Sequence, residues 1–119
     1  MHPFRAAIEA GDIEAANELL HPDVRFFSPA VFRPYEGKDA VSFVLRTVWE
    51  VFEDFRYVDE LTGDGTHGLV FEARVGDRMV QGWDYLRMDG DRITELTVMV
   101  RPLSGLQALV AEMGTRLGT

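Results

Sequence analysis

The second half of the chain leaves little choice of architecture. After residue 54 the side chains alternate between apolar and polar in four segments, Phe55–Leu61, His67–Val75, Met79–Met88 and Ile93–Arg101. The connections are Gly63-Asp64-Gly65, Gly76-Asp77 and Asp89-Gly90-Asp91, and the second is a strong two-residue hairpin signal. Such short connections join antiparallel neighbours, because a parallel neighbour needs a crossover of about a dozen residues or more. The preceding segment, Lys38 to Asp54, has the helical period instead. Asp39, Ser42, Arg46, Glu50 and Glu53 form one polar stripe, and Val41, Phe43, Val44, Leu45, Val48, Trp49, Val51 and Phe52 cover the rest. A helix apolar over more than half its circumference is buried on several sides. The strands are therefore expected to wrap around it.

The flanking segments complete the pattern. Phe4, Ala7 and Ile8 share one face of a short helix that Gly11 stops. Asp12 is a good N-cap for a second helix carrying Ile13, Ala16, Leu19 and Leu20, which His21-Pro22 ends because a residue before proline is pushed out of helical geometry. Val24 to Ser28 alternates as a short strand. Pro29, Pro34 and Gly37 break the next stretch, with Val31, Phe32 and Tyr35, into a loop or edge hairpin. After Pro102 a closing amphipathic helix is expected, with Leu103, Leu106, Val110, Met113 and Leu117 on its apolar stripe. The fold class is α+β: one domain over residues 1–119, a curved antiparallel sheet around a long helix, with an N-terminal helical hairpin and a C-terminal helix.

Composition narrows the partners. Twenty acidic residues against twelve basic ones give a formal charge of −8, which argues against nucleic acid or an anionic membrane as partner, since both need clustered lysine and arginine. No apolar run approaches the ~18–20 residues of a membrane span. The start, Met1 to Arg5, has no basic patch followed by an apolar stretch, so the expected compartment is the cytoplasm. Zero cysteines exclude disulfides, thiolate catalysis and zinc–sulfur sites. His2, His21 and His67 share no ligand spacing, so no metal and no cofactor is expected. The Asp/Gly turns resemble calcium fragments but are too short for an EF-hand loop.

Strand alternation singles out one residue. Phe71, Ala73 and Val75 share a face, as do Leu96, Val98 and Val100. Between them Val80, Gly82, Asp84, Leu86 and Met88 form the matching face, so Asp84 is the one ionisable group expected to point inward. A carboxyl there must be hydrogen-bonded, paired or protonated. Desolvation raises its pKa, and strongly shifted carboxyls cluster at working sites. Two structural alternatives stand beside this: Asp84 pins the sheet by accepting from a tyrosine, tryptophan or backbone donor, or a one-residue bulge turns it to solvent.

Gly11-Asp12-Ile13-Glu14-Ala15, His21-Pro22-Asp23-Val24 with Phe27-Ser28-Pro29, Tyr35-Glu36-Gly37-Lys38-Asp39-Ala40, and Trp83-Asp84-Tyr85-Leu86-Arg87-Met88-Asp89-Gly90-Asp91-Arg92-Ile93 together resemble the nuclear transport factor 2-like superfamily. The resemblance covers roughly residues 4 to 101 and embraces ketosteroid isomerases, SnoaL-type polyketide cyclases, limonene-epoxide hydrolases and non-catalytic members. It implies a cone with a deep apolar pocket at its open end, and commonly a dimer through the outer sheet face. Against the isomerases, Asp84 matches the oxyanion-hole acid, while Ser28 stands at the position of the catalytic base and Phe4 near that of the second oxyanion donor. One of three roles survives, and a lone serine hydroxyl does not replace a carboxylate base. Against the cyclases, Asp84 alone would be the general acid or base.

Two functions remain open. One is an enzyme acting on an apolar small molecule, with Asp84 catalytic and Phe4, Phe26, Ser28, Phe32, Tyr35, Phe43, Trp49, Phe71, Gly82 and Val98 lining its pocket. The other is a non-catalytic ligand-binding or dimerisation module of the same fold. Trp83, Tyr85, Thr97 and Met99 on the opposite sheet face are too apolar for a fully solvated surface and suit a homodimer interface.

Overall fold

The computed structural model describes residues 1–117. Its elements run α1 (Pro3–Glu9), α2 (Ile13–Glu18), β1 (Leu20–Phe27), β2 (Tyr35–Glu36), α3 (Lys38–Val51), β3 (Glu53–Thr62), β4 (Thr66–Val75), β5 (Arg78–Asp89), β6 (Arg92–Arg101) and α4 (Leu103–Leu117). Asp12 caps α2 as expected, its Oδ1 accepting the Ala15 N–H at 3.0 Å. The strands form one sheet in the order β2-β1-β6-β5-β4-β3. This is the α+β layout that the strand periodicity predicts.

Strands β3 to β6 are an antiparallel meander, as their short turns require. The sheet is nevertheless mixed, because β1 runs parallel to β6 with Phe26 opposite Leu96. The expectation of an all-antiparallel sheet fails at this seam for a simple reason. No hairpin joins β1 to β6, so nothing in the turn chemistry sets their relative direction. The second helix is also shorter than its apolar stripe suggests. Leu20 already pairs with Ile93, and an irregular register between Leu20 and Arg25 accommodates Pro22, which cannot donate to the ladder.

Helix α3 buries Val41, Val44 and Leu45 in one core with Leu69, Phe71, Leu86 and Leu96 of the sheet. It ends three residues earlier than its periodicity suggests. Phe52 is already extended, and Asp54 takes φ 54, a left-handed conformation that turns the chain into β3. Helix α4 is rotated from the expected stripe: Gly105 and Leu109 are buried, whereas Leu103 and Val110 are exposed. A Cβ on Gly105 would lie 2.5 Å from Val80 Cγ1, so the bare glycine face is the one that approaches the sheet. No helix among the described residues is long and apolar enough to cross a membrane.

Gly82 is a second close approach. It faces inward opposite Phe71, and a Cβ there would fall 2.0 Å from Phe71 Cζ. The glycine therefore makes room for the Phe71 ring and is not itself a ligand contact. Gly82→Ala should overpack this spot and destabilise the protein by about 1–3 kcal/mol. Urea unfolding of the two proteins checks this; equal midpoints would mean that the ring has room to spare.

Candidate functional site

Asp84 points into the core, as the alternation of β5 predicts, and is 8% exposed. Its partner comes from β3, two strands away. Tyr57 lies opposite Phe71 on β4, Phe71 lies opposite Gly82 on β5, and Asp84 is the next inward residue after Gly82. The buried Tyr57 hydroxyl reaches diagonally across β4 and donates to Asp84 Oδ2 at 2.8 Å. The tyrosine ring is held edge-on to Phe55 at 4.9 Å, and Phe55 stacks on Phe71 at 4.8 Å. Of the readings open for Asp84, the bulge into solvent is ruled out and a tyrosine donor is present.

Burial pushes the Asp84 carboxyl up to about 7, and the Tyr57 hydrogen bond offsets only part of that rise. Tyr57 is itself held well above its usual value, first by burial and then by the charge and hydrogen bond of Asp84, so its hydroxyl stays a donor. Arg5 stands 5.9 Å from the centre of the Tyr57 ring, yet it pairs with Glu9 and Glu60 at 3.4 Å each. Its charge is thus answered by those two carboxylates.

One cavity adjoins this pair, and a second lies beyond it. An inner chamber of about 50 Å³ is lined by Asp84 and Tyr57, by Phe4 of α1, by Trp49 of α3, and by Phe55 and Phe71 of the sheet. An outer cavity of about 440 Å³ lies between α3, α4 and β1, where Phe26, Ser28, Tyr35 and Val98 meet Leu109 and Met113 of α4. Val48 and Phe52 line both.

The expected pocket residues thus divide. Phe4, Trp49 and Phe71 join Asp84 in the inner chamber, and Phe26, Ser28, Tyr35 and Val98 line the outer cavity. Phe32 and Phe43 line neither and are 100% and 54% exposed. Phe32 sits in the loop between Pro29 and Pro34, and Phe43 falls on the α3 face shared by Asp39, Arg46 and Glu50. Ser28 Oγ accepts from the Ala30 and Val31 N–H groups at 3.1 Å each, so its lone pairs serve its own turn. Tyr57, Phe52 and α4 are the site features that the sequence reading passed over. The Phe55–Tyr57 alternation on one face of β3 was the available signal for the first.

The histidines are used elsewhere. His2 Nδ1 accepts the Phe4 N–H at 3.0 Å as the cap of α1, and His67 packs edge-on against His2 at 4.6 Å. Burial, then the charge of His67, holds His2 below its usual pKa. His21 Nδ1 accepts the Asp23 N–H. No group of three His, Asp or Glu side chains among the described residues is placed to hold a metal ion.

Asp84 ties the site to stability. Its folded pKa of about 7 exceeds the usual 3.8. Between those values the folded state holds a proton that the unfolded chain has lost, so stability falls as pH rises from about 4 to about 7 and then levels off. The full effect is on the order of 4 kcal/mol. Asp84→Asn keeps an acceptor for Tyr57 and removes this loss. It should melt above the wild type at pH 8, with the gap closing towards pH 4. A gap that stays constant with pH would contradict a raised Asp84 pKa.

Residues 2–96 match the family profile described as a SnoaL-like domain. A steroid delta-isomerase from Pseudomonas aeruginosa is 49% identical, with 95% of this chain and 85% of that one covered and a TM-score of 0.90. An uncharacterized bacterial protein with a cystatin-like fold from Silicibacter pomeroyi is 32% identical over 100% of this chain and 88% of that one, with a TM-score of 0.91. An NTF2-like protein of unknown function from Mesorhizobium loti shares the fold at 15% identity and a TM-score of 0.73, with 83% of this chain and 85% of that one covered. No curated protein sequence matches the chain.

Proposed function

The chain belongs to the SnoaL-like domain family of the nuclear transport factor 2-like superfamily, and on that premise we propose that it binds a neutral, apolar small molecule within its cone and that Asp84 moves a proton on it. The support is a buried carboxyl with a pKa of about 7 at the edge of an apolar cavity. Such a group changes protonation state at neutral pH, so it can both remove a proton and return it. Tyr57 engages Oδ2, which leaves Oδ1 for the ligand. The matching chemistry is proton transfer beside a carbonyl. The Asp84 carboxylate takes a proton from the α-carbon, the C–H electron pair moves into an enolate, and the Asp84 acid returns the proton to the same or a conjugated carbon. No further reactant is consumed. The 49% identical relative is named for an isomerisation, which is the same reaction class.

An enolisable methyl ketone such as 2-acetylnaphthalene, whose exchangeable α-hydrogens sit on the slender acetyl end, tests this in D₂O. The wild type should catalyse α-hydrogen exchange with a rate rising through pH about 7. Asp84→Asn should lose at least about 100-fold. Tyr57→Phe removes a bond that favours the charged carboxyl, so its rate profile should shift to higher pH. Equal exchange in wild type and Asp84→Asn would sink the catalytic role. A non-catalytic binder of the same ligand class would then remain. One observation favours that second reading: Ser28, at the base position of the isomerases, is committed to its own turn, and no carboxylate besides Asp84 lines either cavity.

The outer sheet face supports a homodimer. Trp83 pairs with Met99 and Tyr85 with Thr97 across β5 and β6, which makes a contiguous patch in which Met99 is 59% exposed. Fully exposed charge at that point opposes an isologous contact twice, once from each copy. Met99→Glu should therefore halve the mass measured by sedimentation equilibrium. An unchanged mass would place the contact elsewhere.

A further inference from the structure

The two cavities meet at Val48 and Phe52, and these two side chains differ in freedom. Val48 is β-branched within α3, where χ1 is effectively fixed. Phe52 lies just past the end of α3, with extended backbone and its N–H bonded to the Val48 carbonyl at 3.0 Å. The chain beyond it is clamped, because Arg74 of β4 holds the Glu53 and Asp54 carboxylates at 2.8 and 3.1 Å. The backbone at Phe52 is thus pinned on both sides while its ring rests tilted against Phe55 and Phe71 at 5.7 and 5.4 Å. A chamber of about 50 Å³ admits a few waters or the tip of a ligand, and nothing as large as a ring.

We propose that Phe52 is a specificity-determining gate: its ring partitions the outer cavity from Asp84, and a ligand seated in the outer cavity reaches the carboxyl by displacing that ring with a narrow end bearing a hydrogen-bond acceptor. The proposal rests on reading the outer cavity as the ligand site. It adds a selection rule to that reading. Apolar molecules that fit the outer cavity but lack a slender polar end bind without engaging Asp84.

The test uses wild type, Phe52→Ala and Phe52→Leu, each first shown by thermal melting to be folded; the leucine variant carries the test if the alanine variant is not. The first measurement needs no ligand. Opening the partition lets water from the outer cavity hydrate Asp84, so its carboxyl-carbon titration should move down from about 7 in both variants, further in alanine than in leucine. A midpoint that stays at about 7 in a folded variant overturns the gate.

The second measurement follows binding of 2-acetylnaphthalene by quenching of Trp49, which lines the inner chamber, in a Trp83→Phe background. Ring displacement before engagement predicts a rate that saturates with ketone concentration in wild type and rises linearly in Phe52→Ala. Naphthalene, which has no acceptor, should bind in the outer cavity and leave the Asp84 carbon signal unmoved. Identical linear kinetics in wild type and variant overturn the gate while the ligand reading stands. Binding of neither probe to any of the three proteins ends the ligand reading, and a lowered Asp84 midpoint in the variants would still uphold the partition.

Discussion

The hydrogen bond from Tyr57 to Asp84 sets the terms for the surrounding structure. A carboxyl in an apolar interior with no cation beside it must be held by a donor that does not itself ionise. Tyrosine meets that condition, but its hydroxyl has to arrive from another strand across the occupied width of β4. Gly82 leaves the gap, Phe71 fills it from the neighbouring strand, and Phe55 fixes the angle of the Tyr57 ring. Irregular register on either side of Tyr57 in β3 lets the strand follow the curvature of the sheet while that ring stays inward. Arg5 is near enough to bias the pair, and Glu9 and Glu60 draw its charge aside. Each of these residues would be an ordinary packing or surface choice were Asp84 a leucine.

That arrangement works against folding. A carboxyl whose pKa burial has raised towards 7 destabilises the native state at neutral pH, by an amount comparable with a large part of a small domain's net stability. The many arginine–carboxylate pairs of the exposed surface do not make up the difference, because such pairs contribute little individually. The compensation lies in apolar burial: α3 is packed on several sides, and the sheet face beneath it is apolar apart from Asp84 and the hydroxyl that satisfies it. A costly group embedded in an otherwise consistent core is the pattern expected of a working site.

The legible and illegible parts of the fold divide by the range of the interactions that set them. Hairpin turns, caps and strand alternation are local, so the four-strand meander, the cap at Asp12 and the inward face of Asp84 are all readable from residue order. The direction of β1 against β6 depends on how the helices deliver the chain to the sheet, which no local signal records. The rotation of α4 depends on Gly105 meeting Val80, a contact between elements distant in sequence. Phe43 misleads because α3 is apolar over more than half its circumference, so hydrophobicity alone cannot say which side meets the sheet. The polar neighbours Asp39, Arg46 and Glu50 do say so, and they mark Phe43 as outward. Tyr57 was hidden for the opposite reason. An inward tyrosine on an apolar strand reads as core, and only its partner two strands away makes it part of a site.

The chemistry of the two cavities is unequal. In the inner chamber Asp84 can accept or donate according to its protonation state, and Tyr57 is permanently a donor. In the outer cavity Ser28 has given its lone pairs to Ala30 and Val31, which leaves its hydroxyl proton free to donate and makes it a poor acceptor. Because the Tyr57 proton is already given to Oδ2, a ligand spanning both meets a donor at each end when Asp84 is protonated, with the aliphatic side chains of Val44, Val48 and Val98 along the way. Neutral molecules with acceptors at the extremities and hydrocarbon between them satisfy this lining. Cations find a compensating charge only at Asp84, and only once it has lost its proton. Anions find no cation in either lining. The acidity of the whole chain reinforces the exclusion of anions, so ligand charge is selected against before shape is tested.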